Sequence, residues 1–284
     1  TPEEVDEKVA AVEKSGLETG YDVAAIVSYK VFRKLKDEGV IPSHVRFQVA
    51  FPTIPNVILP FISKVFQERI APLYEKALFK AMRNTQDSIP HEDLSIQIDI
   101  AGDTALWEAT KREAKGTALE YYQPWWQGDV RDYMVAYMMR MFAEVDQDVE
   151  LGIHNCYGDM DHKHWFEPPS LEVVVERGIR IYEETPHPIN YFHCPVPKSA
   201  TAQYGPGDNL DAYLAPLKDL VPHLEKHNTE LYLGVVHEEH LELTRAMIAA
   251  AQKVVPNFGA AMECGGGRMQ KDKFENALSI AKQV

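Results

Sequence analysis

Six apolar segments with the composition of buried β-strands alternate with helical patterns along the chain, and this alternation constrains the fold most strongly. The segments begin at about residues 45, 94, 149, 189, 230 and 258. Strands that are separated by helices are typical of parallel βαβ units. The sequence therefore predicts an α/β fold built on a parallel sheet.

A closed (β/α)8 barrel of the TIM type is the natural arrangement of such units, but it needs eight strands. Residues 1–44 carry two helical patterns and no convincing strand, so we expect N-terminal strands that are missing or atypical. An open six-stranded sheet is the alternative. The chain has 284 residues, 45% of them hydrophobic, which is enough for one large core. A single domain over residues 1–284 is expected.

The charge balance limits the classes of partner. Lys and Arg number 29 against 43 Asp and Glu, for a net charge of −14, and such a surface repels nucleic acids and acidic membranes. No apolar segment reaches the ~18 residues of a spanning helix, and no signal-like N-terminus is visible. We expect a cytoplasmic protein with no nucleic-acid or membrane partner.

Ionisable and sulfur-containing side chains collect at the predicted carboxyl ends of the strands, where barrel active sites lie. His154 and Cys156 are two residues apart on a strand and so share a face. Three cysteines are too few for a disulfide framework, and zinc prefers sulfur and nitrogen ligands. The sequence predicts a zinc site made of His154, Cys156, Cys264 and a fourth ligand. Half-buried cysteines that only pack are the alternative.

Several short motifs resemble those of the superfamily of cobalamin-independent methionine synthase and uroporphyrinogen decarboxylase, especially its short methionine-synthase-like members. The similarity extends over residues 47–267. The motifs are His154-Asn155-Cys156, Cys264-Gly265, Gln97-Ile98-Asp99, Gly234-Val235-Val236-His237, His193-Cys194-Pro195-Val196-Pro197 and His162-Lys163-His164.

The resemblance implies a zinc-dependent methyl or alkyl transferase of methionine biosynthesis that activates a small thiol substrate, with a folate as one candidate donor. Asp99 would hold a substrate ammonium group. Only one of His193 and Cys194 can reach the site, since neighbouring strand residues face opposite ways, and the resemblance implies His193, which stands at the position of the synthase's remaining ligand. His237 ends a strand, and an imidazole titrates near neutral pH, so it is the predicted general acid/base.

Two departures from the synthase pattern stand out. His193 takes the place of an acidic zinc ligand, and Ile100 replaces the acidic residue that follows Asp99 in the synthase. Three other functions remain open. These are a metal-free carbon lyase like the decarboxylase, a zinc-dependent hydrolase that uses His162 and His164, and a non-enzymatic zinc-binding barrel. The oligomeric state is left open too.

Overall fold

Six parallel strands form one sheet, and their order in the sheet is their order in the chain. The computed structural model describes residues 1–112, 123–158, 164, 166–203 and 209–284. The strands are β1 Phe47–Pro52, β2 Leu94–Ile100, β3 Glu150–Asn155, β4 Tyr191–Pro195, β5 Glu230–Val236 and β6 Gly259–Met262.

Helices fill most of the connections between the strands. They are α1 Pro2–Ser15, α2 Tyr21–Asp37, α3 Ile54–Phe61, α4 Lys64–Ser88, α5 Gly102–Arg112, α6 Val130–Ala143, α7 Glu172–Glu184, α8 Leu210–Leu214, α9 Leu217–His227, α10 Leu241–Ala251 and α11 Lys271–Ala281. In the described ranges, no helix has both the length and the apolar character that a membrane crossing requires.

The two faces of the sheet differ in chemistry because successive strand residues point to opposite sides. On β2, the side chains of Ile96, Ile98 and Ile100 are fully buried in the main hydrophobic core. The residues between them, Gln97 and Asp99, line a cavity on the other face. The alternating pattern of the sequence thus divides the sheet into an apolar face and a polar cavity face.

The predicted closed barrel of eight strands is not confirmed. Within the described part of the chain the sheet has six strands, and β1 and β6 are its unpaired edges. The coarser prediction, an α/β fold with a parallel sheet, is confirmed. Helices α1, α2 and α3, which precede or follow β1, all contact α4. The N-terminal helices are therefore part of the fold, although no strand lies in residues 1–44.

Candidate metal centre

The register of the sheet brings three predicted site residues side by side. Asp99 on β2 pairs with His154 on β3, and His154 pairs with His193 on β4. All three side chains line the cavity, and so does Cys264, which follows β6. Because parallel strands end at the same edge, residues that are far apart in the sequence meet there.

His154, Cys156 and Cys264 form a group that could hold a metal ion. Their ligand atoms all lie within 4.8 Å of one another, and the two sulfur atoms are 3.7 Å apart. The backbone N–H of Gly158 donates a hydrogen bond of 3.3 Å to the Cys156 sulfur. The cysteines are free thiols, so the pair is not used for a covalent cross-link.

The two cysteines have opposite pKa shifts. The hydrogen bond from Cys156 and the nearby His154 together lower the pKa of Cys264, although burial opposes this. The same hydrogen bond, with burial, raises the pKa of Cys156. Cys264 is therefore the thiolate of the pair. A thiolate is the form of cysteine that binds metals.

His193 contacts His154 rather than the metal group. Its Nδ1 lies 2.9 Å from Nδ1 of His154, and its Nε2 lies 3.0 Å from the carbonyl oxygen of Met262. A carbonyl only accepts, so Nε2 of His193 carries a hydrogen. Burial and the neighbouring His154 lower the pKa of His193 to about 3, so its Nδ1 is a bare acceptor.

It follows that His154 donates its Nδ1 hydrogen to His193. When the His154 ring is neutral, its Nε2 then has no hydrogen and can bind a metal, which is how a second residue usually orients a metal-binding imidazole. Burial opposes the charge on His154, but Cys264 and Asp99 outweigh it and raise its pKa. The structure thus groups three of the four predicted ligands and places the fourth, His193, against one of them.

The predicted choice between His193 and Cys194 agrees with the geometry. His193 lines the cavity, whereas Cys194 is fully buried in the hydrophobic core on the other face. Gly234 makes room for this arrangement. A Cβ at that position would lie 2.6 Å from the Cα of Glu263 and 3.1 Å from Nε2 of His193, so only glycine allows the two strands to approach as they do.

Asp99 lies at the cavity surface beside the metal group. It accepts a hydrogen bond of 2.8 Å from Nε2 of Gln97, whose own oxygen accepts one from the Tyr191 hydroxyl. Burial raises the pKa of Asp99, although His154 acts in the opposite direction. A carboxylate held in this way can accept hydrogen bonds from a cationic group in the cavity.

His237 lies deeper than its predicted role suggests. It is 3% exposed and is not among the described residues that line the cavity. Its Nε2 donates to the carbonyl oxygen of Val196 over 2.9 Å, and its Nδ1 is 4.0 Å from Glu263. Burial lowers the pKa of His237, although Glu263 opposes this. His237 is thus connected to the metal group only through Glu263, among the contacts described.

Glu263 is the residue whose importance the sequence did not reveal. It precedes Cys264, and its carboxylate also lies 2.7 Å from Nε2 of His164. The other ring nitrogen of His164 is 3.0 Å from Glu167. The available signal was a carboxylate at a strand end directly before a ligand. His162, the partner of His164 in the predicted motif, lies outside the described residues.

The cavity has a volume of about 1360 Å³ and extends along the polar face of the sheet. Its far end is marked by Arg46 and Glu150, which form an ion pair of 2.9 Å. Trp125 and Trp126 do not belong to its described lining. Trp126 stacks on Tyr133 with the ring centres 3.9 Å apart. The two tryptophans pack against the core instead of forming a wall of the cavity.

Comparison with protein-family models gives no match for this chain. The searches of the curated proteins and of the solved structures also find no match. The geometry of the site and the motifs in the sequence are therefore the observations that bear on the function of this chain.

Proposed function

We propose that the protein is a zinc-dependent transferase that moves a methyl or other alkyl group to the sulfur of a small thiol. The observation that carries the proposal is the distance of 3.7 Å between the sulfurs of Cys156 and Cys264. Two sulfurs bonded at about 2.3 Å to one tetrahedral zinc ion are roughly 3.8 Å apart. The His154 imidazole supplies a nitrogen ligand within the same small volume.

Three protein ligands leave one coordination position open. Catalytic zinc sites have this arrangement, whereas structural sites bind the metal with four protein ligands. Both nitrogens of His193 are engaged elsewhere, and Cys194 faces the core. A zinc ion at this position lowers the pKa of a bound thiol and so supplies a thiolate nucleophile at neutral pH.

The remaining residues fit the binding of an amino-bearing thiol. Asp99 lies at the cavity surface next to His154 in the sheet, where it can hold an ammonium group by a charge-assisted hydrogen bond. The cavity is large enough for a thiol and a donor together. A folate is one candidate donor, and methionine formation is the corresponding reaction. The consecutive strand order supports the further proposal that the sheet is of the barrel type.

Hydrolysis by zinc-bound hydroxide is a second candidate function. One observation favours it, which is that the carboxylate of Glu263 directly precedes the ligand Cys264. Zinc deaminases combine His/Cys/Cys ligation with a glutamate that handles protons. In this chain, however, Glu263 is already paired with His164. The proposed transferase requires that an added thiol reach the metal, whereas a hydrolase requires water there.

Metal content and thiol alkylation test the proposal together. The purified wild type is expected to contain one zinc per chain and to accelerate the alkylation of an added aminothiol. Replacing Cys156 or Cys264 by Ser should release the metal, since a hydroxyl is a harder and less acidic ligand. Cys194→Ser is the matched control and should retain it. Equal metal in all variants would show that the thiols do not hold it and would contradict the proposal, and no metal in the wild type would favour the metal-free lyase instead.

A further inference from the structure

Glu263 lies between two imidazole rings beside the metal group. Its Oε1 is 2.7 Å from Nε2 of His164, and its Oε2 is 4.0 Å from Nδ1 of His237. The side chain is 18% exposed. Because Cys264 is the next residue in the chain, Glu263 is the link between His237 and the proposed zinc ligands.

His164 holds one oxygen of Glu263 as a charged partner. Its two ring nitrogens face the carboxylates of Glu263 and Glu167, and a ring that donates from both nitrogens is an imidazolium. Burial opposes this charge, but the hydrogen bonds to the two carboxylates outweigh it and raise the pKa of His164 to about 10. His164 is therefore a fixed cation at neutral pH, and it orients the Glu263 carboxylate.

The two nitrogens of His237 have different tasks. Nε2 faces the carbonyl oxygen of Val196 at 2.9 Å and must carry a hydrogen to bond with it. Nδ1 is thus the nitrogen that gains or loses a proton, and it faces Glu263. The other charged groups that act on His237 are Lys198 and Glu238, which form an ion pair of 3.9 Å with each other.

We infer that Glu263 is a positioning residue that directs the exchangeable proton of His237 to Nδ1, on the side of the metal group. His164 holds the Glu263 carboxylate in this position. The catalytic meaning of this arrangement rests on the proposed function. The proton that His237 gives up leaves from Nδ1, the nitrogen that faces the Glu263 carboxylate. Without Glu263, the imidazolium form of the buried His237 ring loses the carboxylate that faces Nδ1.

Nitrogen NMR of the zinc-loaded full chain, labelled with 15N-histidine, tests the inference. The neutral His237 ring of the wild type should carry its hydrogen on Nε2. In Glu263→Gln the midpoint of His237 protonation should fall by about one pH unit, and Glu263→Asp should restore most of the difference. Glu238→Gln is the matched control, because it removes a second carboxylate that acts on His237 and whose described ion pair is with Lys198.

Two results would overturn the inference. One is a neutral His237 that carries its hydrogen on Nδ1, a measurement that needs no variant. The other is a midpoint in Glu263→Gln that falls no further than in Glu238→Gln. Alkylation of a thiol by methyl iodide is measured in parallel, because iodide leaves without a proton. If the protein does not accelerate that alkylation above the uncatalysed rate, the transferase proposal fails, whatever the histidine spectra show.

Discussion

At the scale of single residues, His193 decides whether the centre is open or closed. As a fourth ligand it would complete the metal's coordination by the protein. Its contacts with His154 and with the Met262 carbonyl instead make it the group that selects the metal-binding nitrogen of His154. In the proposed zinc centre, the same histidine that departs from the synthase pattern would thus leave a coordination position open for the substrate.

Replacing His193 by Phe keeps a ring of similar shape but removes the acceptor for His154. We expect the affinity for zinc to fall by about 10- to 100-fold, the usual effect of losing an orienting partner. Competition with a chromogenic chelator measures the affinity. Cys194→Ser, the neighbouring residue on the other face, is the control. An unchanged affinity in His193→Phe would contradict the assigned role.

The charge of His164 also makes a prediction about stability. Its pKa is raised to about 10 from the ordinary value of 6.5. A raised histidine pKa stabilises the fold fully below pH 6.5, and this contribution is lost as the pH rises to 10. In urea titrations the wild type should exceed His164→Gln in stability most below pH 6.5, and the difference should shrink towards pH 10. A difference that grows with pH would refute the charged state.

Much of the site could be predicted from the sequence at this scale. Strand alternation and the common edge of parallel strands are enough to gather His154, Cys156 and Cys264. The role of His193 could not be predicted, because it depends on how closely β5 and β6 approach at Gly234. The depth of His237 could not be predicted for a similar reason. A strand end predicts the correct edge of the sheet, but it does not tell how deep a side chain lies.

At the scale of elements, the ends of helices depend on side-chain hydrogen bonds that the hydrophobic pattern of the sequence does not show. The sequence pattern from residue 56 to about residue 85 predicts a single long helix, but the structure has two helices there, α3 and α4. The buried side-chain amide of Gln67 donates to the carbonyl oxygens of Ile58, Leu59 and Ile62. These carbonyls at the end of α3 are therefore satisfied without a continuing helix.

Helix α5 has no clear helical pattern in the sequence, and its burial explains why. Seven consecutive residues, from Gly102 to Glu108, are buried. A helix that is buried on all sides lacks the polar face that reveals a helical period in the sequence. In contrast, the sequence pattern predicts the strands Leu94–Ile100 and Glu230–Val236 and the helix Lys271–Ala281. These are the bounds of β2, β5 and α11 in the structure.

An anionic residue joins α2 to the start of β2. Asp93 is 3% exposed and receives hydrogen bonds from the Tyr29 hydroxyl, Arg33 and Lys36. Burial opposes its charge, but these donors outweigh it and lower the pKa of Asp93 to about 2. The stabilisation is present above the ordinary pKa of 3.8 and is lost as the pH falls through 2.

Asp93→Asn should therefore lower the free energy of unfolding by about 3 kcal/mol at pH 7, as expected when a buried ionic contact loses one partner. Asp37→Asn is the matched control. Asp37 also pairs with Arg33 but is 56% exposed, so its loss should cost less than about 1 kcal/mol. Equal losses for the two variants, measured by denaturant titration, would show that Asp93 does not anchor α2.

At the scale of the whole molecule, the arrangement of the strands in the open sheet accounts for the position of the polar residues. A sheet with consecutive strand order collects the carboxyl ends of all its strands at one edge. The number of strands could be counted from the sequence, since each strand has its own apolar segment. Closure of the sheet could not be settled in the same way, because it depends on pairing between the edge strands β1 and β6.

The central claim is that a zinc ion on His154, Cys156 and Cys264 has an open position for a thiol. Zinc X-ray absorption of the purified protein, recorded without and with an added aminothiol, tests this most directly. We predict two sulfur ligands and one histidine nitrogen from the protein, and a third sulfur ligand when the thiol is present. A spectrum with two sulfurs and two histidine nitrogens that the thiol does not change would contradict the account.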